Sequence, residues 1–230
     1  MSAGLLTNEF DVSNISYSDP KKNTMGGQNV LINYSPNGRG GPIVIQTPRM
    51  RVPFGYERQE PEGGGPSRYS VNLTLVNDGQ IGKFFDVIKE IEDHVKNTAV
   101  DKSEEWFGKK KSLEVVSELM RSVVKYPKDP KYNPTLKVKL PTNDKGPQCA
   151  LEDEKKCKID IFPNDEIDFS AIEKGCEMTC VLQCTGVYFI GKSQFGVGFK
   201  VLKARIYNGN PLRNIEIVDE EDENAYEDFE

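Results

Sequence analysis

Residues 186–193, Gly-Val-Tyr-Phe-Ile-Gly-Lys-Ser, match the phosphate-loop pattern G-x-x-x-x-G-K-[ST] letter for letter. That pattern works when the N–H groups of a flexible turn curl round phosphates and a helix starts at its end. Here the middle residues Val187, Tyr188, Phe189 and Ile190 are strong strand formers, and Gln194–Phe199 continues as a second strand. The segment therefore predicts a hairpin. The five cysteines, Cys149, Cys157, Cys176, Cys180 and Cys184, are odd in number and contain no CxxC pair, which points to free thiols in a reducing, intracellular compartment. Cys176, Cys180 and Cys184 share one face of a strand but lie about 13 Å apart in sequence order, too far for one zinc ion. They read as small buried hydrophobes, so no metal or other cofactor is expected. The single histidine, His94, sits in the polar run Glu92-Asp93-His94 of an amphipathic helix and reads as solvated. No nucleophile–base frame forms around it, so no catalytic residue is assigned and the chain is not expected to be an enzyme.

What remains is cation mixed with ring. Residues 102–140 carry ten bases and five acids, a balance of +5, interleaved with Trp106, Phe107, Tyr126 and Tyr132. A second patch is Arg49, Arg51, Phe54, Tyr56 and Arg58, and a third is Lys192, Phe195, Phe199, Lys200, Lys203, Arg205 and Tyr207. Unpaired nucleic acid is held by this combination: cations follow the phosphates and flat rings stack on bases, each stack contributing about 1–3 kcal/mol without reading sequence. The candidate phosphate contacts are Arg49, Arg51, Lys109, Lys110, Lys111, Lys128, Lys137, Lys139 and Lys203, and the candidate stacking rings are Tyr56, Tyr126, Tyr132 and Tyr188.

The chain ends with Asp219, Glu220, Glu221, Asp222, Glu223, Asn224, Ala225, Tyr226, Glu227, Asp228, Phe229 and Glu230. These twelve residues hold eight acids and no base, so the net charge of −6 becomes +2 for the rest of the chain. A mildly basic body with an acidic tail suggests a cationic site and a segment that competes for it. Tyr226 and Phe229 give the tail apolar anchors for a pocket, and twelve extended residues reach roughly 40 Å.

The elements that must position these groups follow from periodicity. Strands are expected at Asn29–Tyr34, Ile43–Gln46 and Tyr69–Val76, the last with Ser70, Asn72 and Thr74 facing away from the core. Phe84, Ile88, Ile91 and Val95 mark a helix over Gly82–Asn97, and Leu113, Val116, Met120 and Val123 a second over Ser112–Val124. From Thr135 onward the pattern is β, including Cys157–Ile161 and long strands at Gly175–Ile190 and Phe195–Tyr207. The apolar phase of the last strand slips near Val201, which predicts a bulge there. The expected fold is mainly β, a small antiparallel OB-fold-like barrel. Residues 1–28 read as a flexible arm, residues 29–209 as the barrel with a helical insertion at about 82–124, and residues 210–230 as linker and disordered acidic tail. No apolar stretch is long enough to span a membrane.

The segments RMRVPFGY, EEWFGKKKSLEVVSELMRSVVKYPKD and GVYFIGKSQFGVGFKVLKARIY, with the tail ending beside an aromatic, resemble the OB-fold single-stranded DNA-binding proteins of large nucleocytoplasmic DNA viruses. That group is similar to the helix-destabilising protein of short-tailed phages, and the resemblance covers about residues 45–230. It implies a positive groove, single-stranded DNA as partner, dimer formation through the tail, contact with a replicative DNA polymerase and no cofactor. The region Tyr126–Lys128 and the last hairpin correspond to groove-lining parts, and Phe229 to the tail's aromatic; here Glu230 follows it. Two rival readings are a β-rich virion scaffold protein and an acidic-tailed chaperone of basic proteins.

Overall fold

The computed structural model describes residues 4–22, 27–36, 38, 40–61, 63–191 and 193–208. Lys192 and the whole acidic tail, with its candidate partner-binding residues 219–229, lie outside them. In chain order the barrel elements are β1 (Val44–Gln46), β2 (Met50–Arg51), β3 (Tyr56–Gln59) and β4 (Arg68–Thr74). Helices α1 (Gly79–Asp101), α2 (Ser103–Phe107) and α3 (Leu113–Leu119) follow, then β5 (Thr135–Leu140), β6 (Glu177–Ile190) and β7 (Gln194–Tyr207). The breaks between β1, β2 and β3 contain Pro48 and Pro53, whose missing N–H groups cannot extend a ladder.

These strands close on themselves. β1 and β2 pair antiparallel with β6, through Leu182↔Ile45 and Met178↔Met50. At its other end the same run pairs with β4 through β3, with Tyr56 opposite Val71. β4 pairs antiparallel with β5, β5 meets β7 in parallel at Lys139↔Lys200, and β7 pairs antiparallel with β6. Counting β1–β3 as one strand, the order round the barrel is 1-2-3-5-4-1. This is the OB barrel the alternation predicts, with the helices inserted between its second and third strands. The phase slip in β7 is a bulge at Leu202, since Val201 pairs with Leu182 and Lys203 with Val181. The phosphate-loop look-alike is the end of β6 and its turn, with Gly191 at φ 59°.

The helical insertion covers the barrel with an apolar stripe. Asp78 caps α1, its carboxylate accepting the Gly79 N–H at 2.7 Å, and Phe84, Ile88, Ile91 and Val95 are fully buried. Trp106 and Phe107 of α2 pack edge-on against Phe189, and Phe107 also against Phe195, which locks the insertion to the β6–β7 hairpin. No helix among the described residues is long and apolar enough to cross a membrane.

Three local expectations change. The helix expected to reach Val124 stops at Leu119: Met120-Arg121 pair with Phe195-Gly196, and Val124-Lys125 with Leu136-Thr135. Sheet pairing wins over helical propensity in this valine-rich run. Around Cys157–Ile161 only Lys158–Ile159 is a strand. The stretch read as a loose arm is packed in part: Leu5 bridges Ile45, Ile15–Tyr17 pairs with Ile32–Tyr34, and Phe10 rests on the core. His94 is consequently not solvated. Its Nδ1 lies 2.7 Å from the Tyr17 hydroxyl, and burial pushes that phenol up to about 12. Cys176, Cys180 and Cys184 are buried small side chains, with burial raising their thiols to about 11, 12 and 12.

Gly186 sits at φ 92°, and a Cβ there would collide with the Val30 carbonyl oxygen, where the strand Gln28–Val30 joins β6. Gly191 is also left-handed but faces open space. Gly191→Ala is therefore expected to lose about 1 kcal/mol of stability. Gly186→Ala adds the collision and should lose about 3 kcal/mol or more, read from urea unfolding midpoints.

Candidate nucleic-acid interface

The three most exposed large apolar side chains among the described residues are Tyr126 at 65%, Phe54 at 63% and Tyr132 at 61%, the next being at 48%. All three line one groove of about 890 Å³. Its walls are β2 with the residues on either side of it, which carry Arg49, Arg51 and Phe54, and the loop from α3 to β5, which carries Lys125, Tyr126, Lys131 and Tyr132. Thr74 and Thr135, at facing ends of β4 and β5, form part of its floor. Prolines hold the rings outward: Phe54 follows Pro53, Tyr126 precedes Pro127, and Asn133-Pro134 follow Tyr132. A ring next to proline cannot join a regular ladder on that side, so it stays at the rim.

The groove's cations differ in freedom. Arg49 pairs with Glu177 at 2.5 Å and lies 4.1 Å above the Tyr207 ring. Lys131 pairs with Asp129 at 2.9 Å and lies 4.9 Å from the Tyr132 ring. Arg51 and Lys125 make no ion pair among the described residues. Such exposed pairs contribute little to stability and exchange easily for another anion.

The groove runs onto the outer face of β4 and β5. Alternate residues share a face, so Thr135, Lys137 and Lys139 follow one another, beside Thr74, Asn72 and Ser70. Ser70 and Asn72 were expected to face water but are buried, because Glu57 and Lys137 close over them. Lys137 pairs with Glu57 at 2.7 Å. Lys139 is exposed at the surface, yet desolvation, aided by repulsion from Arg68, holds its ammonium below the usual lysine range. An arriving anion offsets both effects by its attraction for the ammonium. Its Nζ lies 6.0 Å from the Tyr188 ring, which rests across Gly196, where a Cβ would crowd it.

The structure thus brings Arg49, Arg51, Tyr126 and Tyr132 into one groove and sets Lys137, Lys139 and Tyr188 on the adjoining face. Lys128 is exposed in the loop between Tyr126 and Tyr132. The other candidates lie elsewhere. Tyr56 pairs with core-facing Val71, and its ring packs on Tyr69 and Phe169. Lys203 is held by Glu152 at 2.5 Å, together with Arg205. Lys109, Lys110 and Lys111 follow α2 near the Phe107–Phe195 cluster, with Lys111 5.5 Å from the Phe107 ring. The sequence reading named Phe54 in a basic–aromatic patch and counted Lys125 and Lys131 among the bases of residues 102–140, but placed none of them, nor Arg68, among the candidate contacts; the Pro53-Phe54-Gly55 turn was the available signal for the first.

No protein-family model matches this chain, and no curated protein matches its sequence. Among solved structures it is similar to gp2.5, a single-stranded DNA-binding protein encoded by bacteriophage T7, at 16% identity and a TM-score of 0.48, covering 76% of this chain and 98% of that one. It is also similar to the single-stranded DNA-binding protein of bacteriophage Enc34 in complex with ssDNA, at 15% identity and TM-score 0.46, covering 81% and 93%. A C-terminal truncation of the Enc34 protein gives 14% and 0.47, covering 87% and 98%.

The exposure of the groove rings separates them from the structural ones. Alanine at Phe54, Tyr126 or Tyr132 is expected to change unfolding free energy by less than about 0.5 kcal/mol. Trp106→Ala should lose about 3–5 kcal/mol by calorimetry or urea titration.

Proposed function

We propose that this chain binds single-stranded DNA stoichiometrically, without catalysis and without reading sequence, in support of viral DNA replication, recombination or repair. The observation that carries this reading is the convergence of the three most exposed rings with Arg49, Arg51, Lys125 and Lys131 in one groove. Rings left in water at that exposure gain nothing for the fold, and bases stack on them while phosphates meet the cations. The groove opens onto the faces of the second and third barrel strands, where this barrel type offers a surface for oligonucleotides. Kinship with the proteins of large nucleocytoplasmic DNA viruses is supported by the sequence segments.

The acidic tail is proposed to compete for the same groove and to recruit partners, such as a DNA polymerase or a second copy in a homodimer, within an infected cell. Support comes from where the last described strand ends: Tyr207 closes β7 beneath Arg49, a groove wall residue.

Fluorescence anisotropy with single-stranded and duplex oligonucleotides at two salt concentrations tests this. Tight, salt-dependent binding of the single strand is expected, with Tyr126→Ala or Tyr132→Ala each weakening it about 5- to 150-fold, the equivalent of one lost stack. Removing residues 219–230 should tighten it. Binding of neither oligonucleotide, with capture of basic proteins or self-assembly instead, overturns the reading in favour of a chaperone or a scaffold.

A further inference from the structure

Glu57 is an acid on an otherwise cationic face. Three donors converge on its carboxylate: Lys137 Nζ at 2.7 Å, Ser70 Oγ at 3.4 Å and the amide nitrogen of Asn72. They come from two strands, Lys137 lying opposite Asn72 across β4 and β5, while Glu57 reaches over from β3, opposite Ser70. Lys125 adds its field, and the charges outweigh the desolvation that alone would raise this carboxyl, holding it below the usual range.

We propose that these three donors form a phosphate site for the DNA backbone, and that the Glu57 carboxylate is its built-in occupant until a strand displaces it. This rests on the single-strand reading above and specifies one contact within it. A carboxylate and a phosphodiester both present two oxygens to N–H and O–H donors, so one substitutes for the other. The geometry favours exchange. Glu57 and Lys137 side chains are 39% and 36% exposed, so the carboxylate is free to swing into water. Asn72 supplies the second argument. It is 2% exposed, its Oδ1 is buried without a partner, and its strand neighbours are Val71 and Leu73. A half-satisfied amide weakens a sheet that a threonine or valine would fit, so its use there is the donor it aims at the face. With Glu57 in place, the charge of Lys137 is paired in the empty protein. A lone phosphate competes poorly against the tethered carboxylate. A strand already held in the groove presents its phosphate at high local concentration and displaces it.

The test is Glu57→Gln, which keeps the shape and removes the charge. With an oligothymidylate at moderate salt it should bind about five- to tenfold tighter, because no carboxylate has to be displaced before the phosphate contact forms. Glu60→Gln, an equal charge removed from the same run where it pairs with Arg58, should stay within about twofold of the native chain. Combining Glu57→Gln with Lys137→Ala should abolish the gain. Independently of DNA, tripolyphosphate titrated into the Glu57→Gln protein should shift the Asn72 side-chain amide resonances, at concentrations that leave the native protein unchanged. Equal or weaker oligonucleotide binding by Glu57→Gln, or an equal gain from Glu60→Gln, overturns the phosphate site while leaving the single-strand reading intact. An amide shift without oligonucleotide binding by either protein supports the anion site and overturns the single-strand reading instead.

Discussion

Closing the barrel requires one stretch of chain to serve two edges. Residues 44–59 pair with β6 at one end and with β4 at the other, and they cannot do both without turning between them. The turn is Pro53-Phe54-Gly55. Pro53 ends the ladder to β6, and Gly55, at φ 73°, lies so close to the Ile172 carbonyl that a Cβ would sit 3.0 Å from it. The bend is therefore fixed by packing, and with it the position of Phe54. Opposite stands the loop that returns from the helical insertion to β5, pinned by the pairing of Val124-Lys125 with β5. The groove is the space between two segments whose ends the sheet already holds, so its rings are placed before any ligand arrives. Preorganisation of this kind reduces the ordering entropy lost on binding.

Charge on the outer face follows the same economy of placement. A row of cations on neighbouring strands repels itself, and in the empty protein Glu177, Asp129 and Glu57 each neutralise one member. These carboxylates are half-exposed and sit beside the rings, where an incoming anion can replace them. Glu152 is different. It is nearly buried, it holds Lys203 and Arg205 together, and both contacts pull its carboxyl below the usual range. It lies on the short strand Ala150–Glu152 paired with β7, so it fastens that strand to the barrel. Two lysines of similar sequence surroundings thus have different roles, set by which acid the fold brings to them.

That contrast marks where the sequence is legible. The strand over Tyr69–Val76, the stripe Phe84–Val95 and the phase slip near Val201 are local signals, and each element is found, the strand as Arg68–Thr74. Tyr126 and Tyr132 are also legible as exposed rings, standing in a loop beside Pro127 and Pro134. Trp106 and Phe107 stand in an equally basic run, but they lie on a helix and turn inward. Lys203 and Lys137 are both lysines alternating with apolar residues in a strand, and nothing within ten residues tells them apart. Their partners Glu152 and Glu57 are 51 and 80 residues away. Long-range pairing of side chains is fixed by topology, and topology is what a periodic pattern does not contain. The same holds for Glu57 over Asn72, which turns an apparently wet strand face into a covered one.

Under the proposed single-strand reading, the alternation of ring and cation in the groove bears on which form of DNA suits it. Lys131 stands beside Tyr132, Lys125 precedes Tyr126, and Arg49 and Arg51 flank the approach to Phe54. To use both kinds of group, a ligand must offer a flat apolar surface and an anion at nearly the same point along its length. In a duplex the base faces are stacked and turned inward while the phosphates stand outside, so contact with one excludes contact with the other. An unpaired strand rotates its bases away from its backbone and meets the rings and the cations together. The exposed rings are thus a stronger discriminator than the charge, because lysines alone would hold either form.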